Sequence, residues 1–169
     1  DVKEELARQF SKAKHCQIAE LSAMIMQEGR ISVNPLSLSF ETENPVLIEK
    51  YAMLMKRAFD IDIEEPLDGQ NCKRIVEAIQ GLYLEKICCK RAFIRGAFLA
   101  SGSMSDPNKS YHFEIVCHTL EQGKQLQSVM QSFDTDAKIV ERKGHHVVYL
   151  KEGSQIVDML NVMEAYVSL

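Results

Sequence analysis

The chain contains no tryptophan, and aromatic residues fill only 7% of its 169 positions. So few rings give no stacking platform for unpaired bases, which removes single-strand recognition by stacking from the expected functions. A glycine-rich phosphate loop and a serine–histidine–acid pattern are also missing, so nucleotide hydrolysis and acyl transfer have no motif to rest on. Apolar runs fall far short of a membrane span and no signal-peptide pattern opens the chain; a cytoplasmic protein without a membrane partner is expected. Five cysteines, with Cys88 and Cys89 adjacent, do not make a secreted disulfide framework and point to a reducing compartment. Positive charge is short as well. Twenty lysines and arginines against 24 acidic residues leave a net charge of −4, which weighs against a surface given over to nucleic acid, although local basic patches can persist.

What the chain does have is an internal repeat. Residues 14–29 read KHCQIAELSAMIMQEG and residues 87–102 read ICCKRAFIRGAFLASG. A shift of 73 lays Cys16 on Cys89, Ala23 on Gly96 and Gly29 on Gly102. Phe59-Asp60 falls on Phe133-Asp134 at a shift of 74, and Ile75-Val76-Glu77 on Ile156-Val157-Asp158 at 81. A slowly growing offset is what duplication followed by small insertions leaves. The expectation is a single α+β domain over residues 1–169, with pseudo-twofold halves of about 1–83 and 84–169. Hydrophobic content of 46% with 26% charged residues suits such a core.

Local patterning fills in the elements. Val2–Phe10 and Cys16–Glu28 read as helices, the second closed by Gly29 in a left-handed cap. Leu36–Glu43 alternates as a strand. Asn44-Pro45 caps a helix running to about Phe59; Ile61–Ile63 reads as a strand and Cys72–Ile79 as a helix. In the second half, Cys88–Ala100 is a helix closed at Gly102, followed by a turn at Asp106-Pro107-Asn108 and a strand over Tyr111–Cys117. Thr119 and Gln122 form a capping box for a helix ending near Phe133. Strands Ala137–Glu141 and His145–Lys151 flank the hairpin signal Arg142-Lys143-Gly144, and Ile156–Met163 closes as a helix. The ideal order is α-β-β-α-β-β-α, given twice. Phe59 to Ile75 is 16 residues against 23 for Phe133 to Ile156, so the first half has no room for a counterpart of His145–Lys151. Either that strand is lost or residues near Pro66–Gly69 are missing from the chain, and we favour the second.

Both repeated helices carry small residues four apart, Ala19 and Ala23 in one and Gly96 and Ala100 in the other. One such helix is ordinary core packing; two at matched positions imply a central helix pair, with Gly29 and Gly102 at its ends. This arrangement resembles the LAGLIDADG homing-endonuclease fold. DVKEEL, AELSAMI, CCKRAFIRGAFLASGS and ERKGHHVVYLKEGSQIVDMLNV resemble more specifically the WhiA family of bacterial sporulation and cell-division regulators. The resemblance implies an amino-terminal LAGLIDADG-like domain whose family partner, a carboxy-terminal helix-turn-helix, is absent after Leu169. It also implies a bacterial, nucleoid-associated regulator acting on DNA mainly through that missing domain, with a protein partner as the alternative.

In the endonucleases, the residue before each motif's last glycine is an acidic metal ligand. Here those positions hold Glu28 and Ser101, so a disabled, non-enzymatic site without a cofactor is the expectation; a neutral serine hydroxyl does not replace a carboxylate on a hard cation. An ordinary reading of Glu28 is a solvated carboxylate at a helix end. His15-Cys16 and Cys88-Cys89 hold matched positions, but adjacent residues on a helix point about 100° apart and zinc ligands are usually spaced wider, so thiols without metal are expected. Lys90, Arg91 and Arg95 read as a solvated or ion-paired helix face. Lys109, Lys138, Arg142, Lys143 and His145 are the candidates for phosphate contact, with His146 pointing to the opposite sheet face.

Overall fold

A computed structural model describes residues 1–64, 66–105 and 112–165. The elements run α1 (Val2–Ala7), α2 (Lys14–Glu28), β1 (Gly29–Ser32), β2 (Ser37–Phe40), α3 (Pro45–Phe59), α4 (Gly69–Gln80), α5 (Ile87–Ser101), β3 (Gly102–Met104), β4 (Phe113–Cys117), α6 (Leu120–Gln131), β5 (Lys138–Arg142), β6 (His145–Leu150) and α7 (Gly153–Val162). The repeated segments form α2 and α5, each 15 residues long and starting 73 positions apart.

These two helices are apolar nearly all round, so both are buried. Leu21, Met24 and Ile25 of α2 and Ile94, Phe98 and Leu99 of α5 are at most 2% exposed. They enter one core with Phe113, Ile115 and Leu150 of the second-half sheet and Leu54, Met55 and Ile75 of the first half. Asn44 accepts a hydrogen bond from the Val46 N–H with Pro45 at the first helical position, and Thr119 accepts one from the Gln122 N–H. Asp60 and Asp134, aligned by the repeat, both stand in the left-handed region at φ 57° and 61°. Duplication has therefore kept the backbone turn as well as the residue.

Several expectations are corrected. Gly29 and Gly102 are extended, at φ −80° and −91°, rather than left-handed caps. Each helix passes directly into a strand, and a side chain at the junction has no room. A Cβ on Gly29 would stand 2.7 Å from the Ile25 carbonyl oxygen, and one on Gly102 2.3 Å from the Phe98 ring. The short strands β1 and β3 that follow are too brief to alternate legibly, and the expected strand over Leu36–Glu43 shrinks to Ser37–Phe40. Ile61–Ile63 forms no strand; Ile61 is instead buried in the core behind the Asp60 turn.

The second half has the full α-β-β-α-β-β-α order, with an antiparallel sheet ordered β3-β4-β6-β5. The first half has a two-stranded sheet, β1-β2, and runs from α3 to α4 without a second strand pair among the described residues. The turn expected at Asp106-Pro107-Asn108 and the start of the strand at Tyr111 lie outside the described residues.

Candidate functional site

The helix pair organises the packing and tip positions. Gly96 lies against α2 so closely that a Cβ would stand 2.2 Å from the Glu20 carbonyl oxygen and 3.1 Å from the Ala23 Cβ. Ala19 and Ala23 are buried opposite, and Ala100 is 8% exposed. Backbones approach here because no side chain intervenes. The same closeness brings Arg95, read from sequence as part of a solvated or ion-paired helix face, together with two charges that the sequence reading did not mark. Arg95 of α5 donates to both Glu20 carboxylate oxygens, Nε at 3.0 Å and Nη2 at 2.9 Å, and all three groups in this lock are buried: Lys50 of α3 lies 3.1 Å from Glu20. Glu164 completes the set at 3.0 Å from Arg95 Nη1 and also pairs with Arg91 at 3.6 Å. Lys50 donates to the Leu6 and Gln9 carbonyls, which ties α1 to the pair. Burial lowers the Lys50 pKa to about 8, with Glu20 opposing the shift. A fork-on-carboxylate contact across two helices fixes their register, because both hydrogen bonds need one geometry. Nothing in a helical sequence pattern marks a Glu and an Arg that meet only after packing.

At the carboxy-terminal tip, Glu28 is half-buried and lines a cavity of about 200 Å³ with Arg30, Ser39 and Glu41. Arg30 and Ser39 are register partners in the β1-β2 ladder. Ser101 ends α5 with its hydroxyl donating to the Ala97 carbonyl at 3.4 Å. The last carbonyls of α2 are taken by the other half: His118 Nε2 donates to Gln27 at 2.7 Å and Gln122 Nε2 to Met26 at 3.2 Å. These satisfy groups a helix end leaves open. Arg30, Glu41 and His118 were not singled out from sequence, and Gln122 was read as a capping-box partner of Thr119 although its side-chain amide donates across to Met26; a strand starting at the glycine would have pointed to Arg30.

The β5-β6 hairpin carries the phosphate candidates. Lys143 and Gly144 turn it at φ 52° and 80°, the conformation a two-residue hairpin loop requires. Arg142 and His145 are cross-strand partners beside that tip, whereas Lys138 pairs with Tyr149 at the far end of the ladder. Arg142 is held by Glu114 at 2.8 Å, Lys138 lies 3.7 Å from Asp136, and His145 Nδ1 donates to the Lys143 carbonyl at 3.2 Å. The Arg142 guanidinium keeps the Glu114 carboxyl below the usual carboxylate range. His112 Nε2 lies 3.2 Å from the same carboxylate. The His145 ring sits 5.8 Å from that of His118, while His146 faces α6, its Cβ toward Gly123. The face is thus mixed in charge rather than cationic. Lys109 lies outside the described residues.

At the amino-terminal end of the pair, His15, Cys16, Cys88 and Cys89 bring their ligand atoms within 4.8 Å of one another. Among the described residues no helix is long and apolar enough to cross a membrane.

With this geometry in place, comparison with known proteins is direct. A family model for the WhiA LAGLIDADG-like domain matches residues 90–169. "Probable cell division protein WhiA" of Lachnoclostridium phytofermentans is 40% identical over 208 positions, which take in 100% of this chain and 65% of that protein. The chain therefore spans less than two thirds of that relative's length. Among solved structures, the N-terminal LAGLIDADG domain of DUF199/WhiA matches at a TM-score of 0.82 with 21% identity, over 96% of this chain and 87% of the other. I-DmoI in complex with DNA and Mn matches at 0.65 with 14% identity, over 89% and 98%. The fold is that of the LAGLIDADG homing endonucleases.

Proposed function

The chain belongs to the WhiA family, from which we infer that it is a catalytically inactive endonuclease-like domain of a DNA-binding transcriptional regulator acting in cell division, chromosome segregation or sporulation. The observation that carries the reading is the tip of the helix pair. A hydrolytic centre of this fold needs acidic ligands from both helix ends, because hard divalent cations take anionic oxygen donors and must neutralise an attacking and a leaving oxygen together. Here the second helix ends in Ser101, whose hydroxyl is spent on its own helix, and Glu28 shares its cavity with Arg30. That donor set does not fit a paired-ion centre, and no hydrolytic step follows from it.

On this reading a helix-turn-helix elsewhere in the whole protein reads sequence, and this domain positions the assembly through the hairpin residues Arg142, Lys143 and His145 or through protein contacts. A second reading, a module that binds protein or a small effector without DNA affinity, is favoured by the carboxylates that answer Arg142 and Lys138. A salt titration of duplex binding separates the two. Phosphate contact releases counterions, so affinity falls with a log–log slope of about −0.9 per contact. A slope near −2 to −3 supports the regulator, with two or three contacts expected from the hairpin; no binding at low salt overturns DNA positioning by this domain. Plasmid cleavage in magnesium or manganese that is lost on Glu28→Gln would overturn inactivity.

A further inference from the structure

We propose that His15, Cys16, Cys88 and Cys89 form a structural zinc site that staples the amino-terminal ends of α2 and α5 together. The expectation from sequence was thiols without metal, because neighbours on one helix diverge. The fold removes that objection by pairing helices rather than residues. Each helix supplies the second and third residues of its first turn, His15-Cys16 and Cys88-Cys89, related by the 73-residue repeat. Across the helix pair the four donor atoms converge, all within 4.8 Å, with His15 Nδ1 at 3.1 Å from Cys89 Sγ and 3.4 Å from Cys16 Sγ. A tetrahedral ion with bonds of about 2.3 Å to sulfur and 2.0 Å to nitrogen has ligand edges of about 3.5–3.8 Å. The two His15 edges lengthen by a few tenths of an ångström, and the widest pair closes by up to about 1 Å, to reach those edges.

The chemistry of the set selects the ion. Three sulfurs and one imidazole, with no carboxylate among them, suit zinc and exclude magnesium or calcium. All five cysteines are free thiols, and Cys72 and Cys117 stand outside the group. Binding converts three thiols to thiolates, releases three protons to solvent and leaves a centre of charge −1; no oxidant or reductant takes part. Two helix amino-termini meet that charge. Neither Ala13 nor Lys86 caps its helix with a side chain, so the positive ends of both dipoles lie near the site without a side-chain cap to offset them. Cys16 and Cys89 are buried at 3% and 6% exposure, while His15 and Cys88 are exposed and Cys88 lines a cavity of about 370 Å³. The ion therefore has an entry path and a dry inner side. The site stands about 18–20 Å from Glu28, most of a helix length away, and does not depend on the DNA reading.

The test uses the full chain, purified under reducing conditions and stripped of metal, with Zn²⁺ or Co²⁺ alone as probe. Expected are one ion per chain, release of about three protons on zinc binding, and thiolate-to-cobalt charge-transfer bands with tetrahedral d–d intensity. Cys88→Ser and His15→Asn change exposed positions and leave the fold intact by circular dichroism, and each weakens zinc binding at least tenfold. Cys89→Ser abolishes it, and should that buried change unfold the chain, the two exposed variants still decide. Absence of the cobalt bands, binding unchanged in Cys88→Ser and His15→Asn, or a Cys16–Cys89 disulfide in place of any metal under the same conditions would each overturn the proposal.

Discussion

The two halves match where they touch each other and differ where they face outward. Their central helices have equal lengths, start at equivalent positions and bury the same kinds of residue. Their sheets do not match: among the described residues four strands stand in the second half and two in the first, where Ile31 and Val33 are left 42% and 71% exposed. Charge is more lopsided still. At the repeat shift Glu20 falls on Phe93 and Arg95 on Ser22, so the lock across the pair has no mirror image. Lys50 aligns with Lys124 at the α3–α6 shift of 74; the first is buried and the second exposed. Close packing at the axis constrains both copies at once, whereas a buried ion pair needs only one of each partner.

The sharpest way to break this asymmetry is Glu20→Ala. It leaves Arg95 and Lys50 buried beside one remaining carboxylate, and an unpaired buried charge costs about 3–5 kcal/mol. Unfolding in urea should show that loss, and the triple change of Glu20, Arg95 and Lys50 to methionine should recover most of it. A loss no greater than that of a surface substitution would mean the charges are solvated and the helices held by apolar packing alone.

Lys50 gives the next effect, through pH. Its folded pKa of about 8 lies below the ordinary 10.5. Below pH 8 both states carry the proton and the cost of burying the charge is fully present. Between 8 and 10.5 the unfolded chain binds more protons, so stability rises with pH there, by at most about 3 kcal/mol. Tyr51, raised to about 12 by burial, acts oppositely above its ordinary value of 10. The measurement is therefore the difference in unfolding free energy between the parent chain and Lys50→Met. Relative to that variant the parent should gain stability from neutral pH to 10.5, and a flat difference would refute the buried lysine.

How much of this was legible beforehand follows the same division. The helix pair, its small residues and the α+β class are carried by local repetition, and repetition is visible in one dimension. Strands β1 and β3 were missed because three or four residues beginning on glycine show no period. Ile61–Ile63 was misjudged because alternation cannot reveal whether a partner strand exists to pair with. Glu20, Lys50 and Arg95 lie 30 to 75 positions apart, and a charged residue inside a helix reads as solvent face until packing denies it water. The shortfall of the first half was legible from spacing.

The smallest effect bears on which sheet face meets a partner. Arg142 is exposed and its pair with Glu114 is screened by solvent, so Glu114→Gln should barely change stability. Its electrostatic consequence is larger than its energetic one. The carboxylate accepts from Arg142 and lies beside His112, and removing it releases a guanidinium and deletes a negative charge from the same face. If the second-half sheet lies against phosphate, duplex affinity should rise several-fold and the salt slope steepen by about one contact. In the first half, Glu41 shares a cavity with Arg30, and Glu41→Gln should act the same way if the first-half sheet also lies against phosphate. An increase from the second half alone would place the contact on the hairpin and leave the shortened first-half sheet out of it. No change from either substitution would favour a protein partner over DNA for this face, because the carboxylate that answers Arg142 is then part of the recognition rather than an obstacle to it.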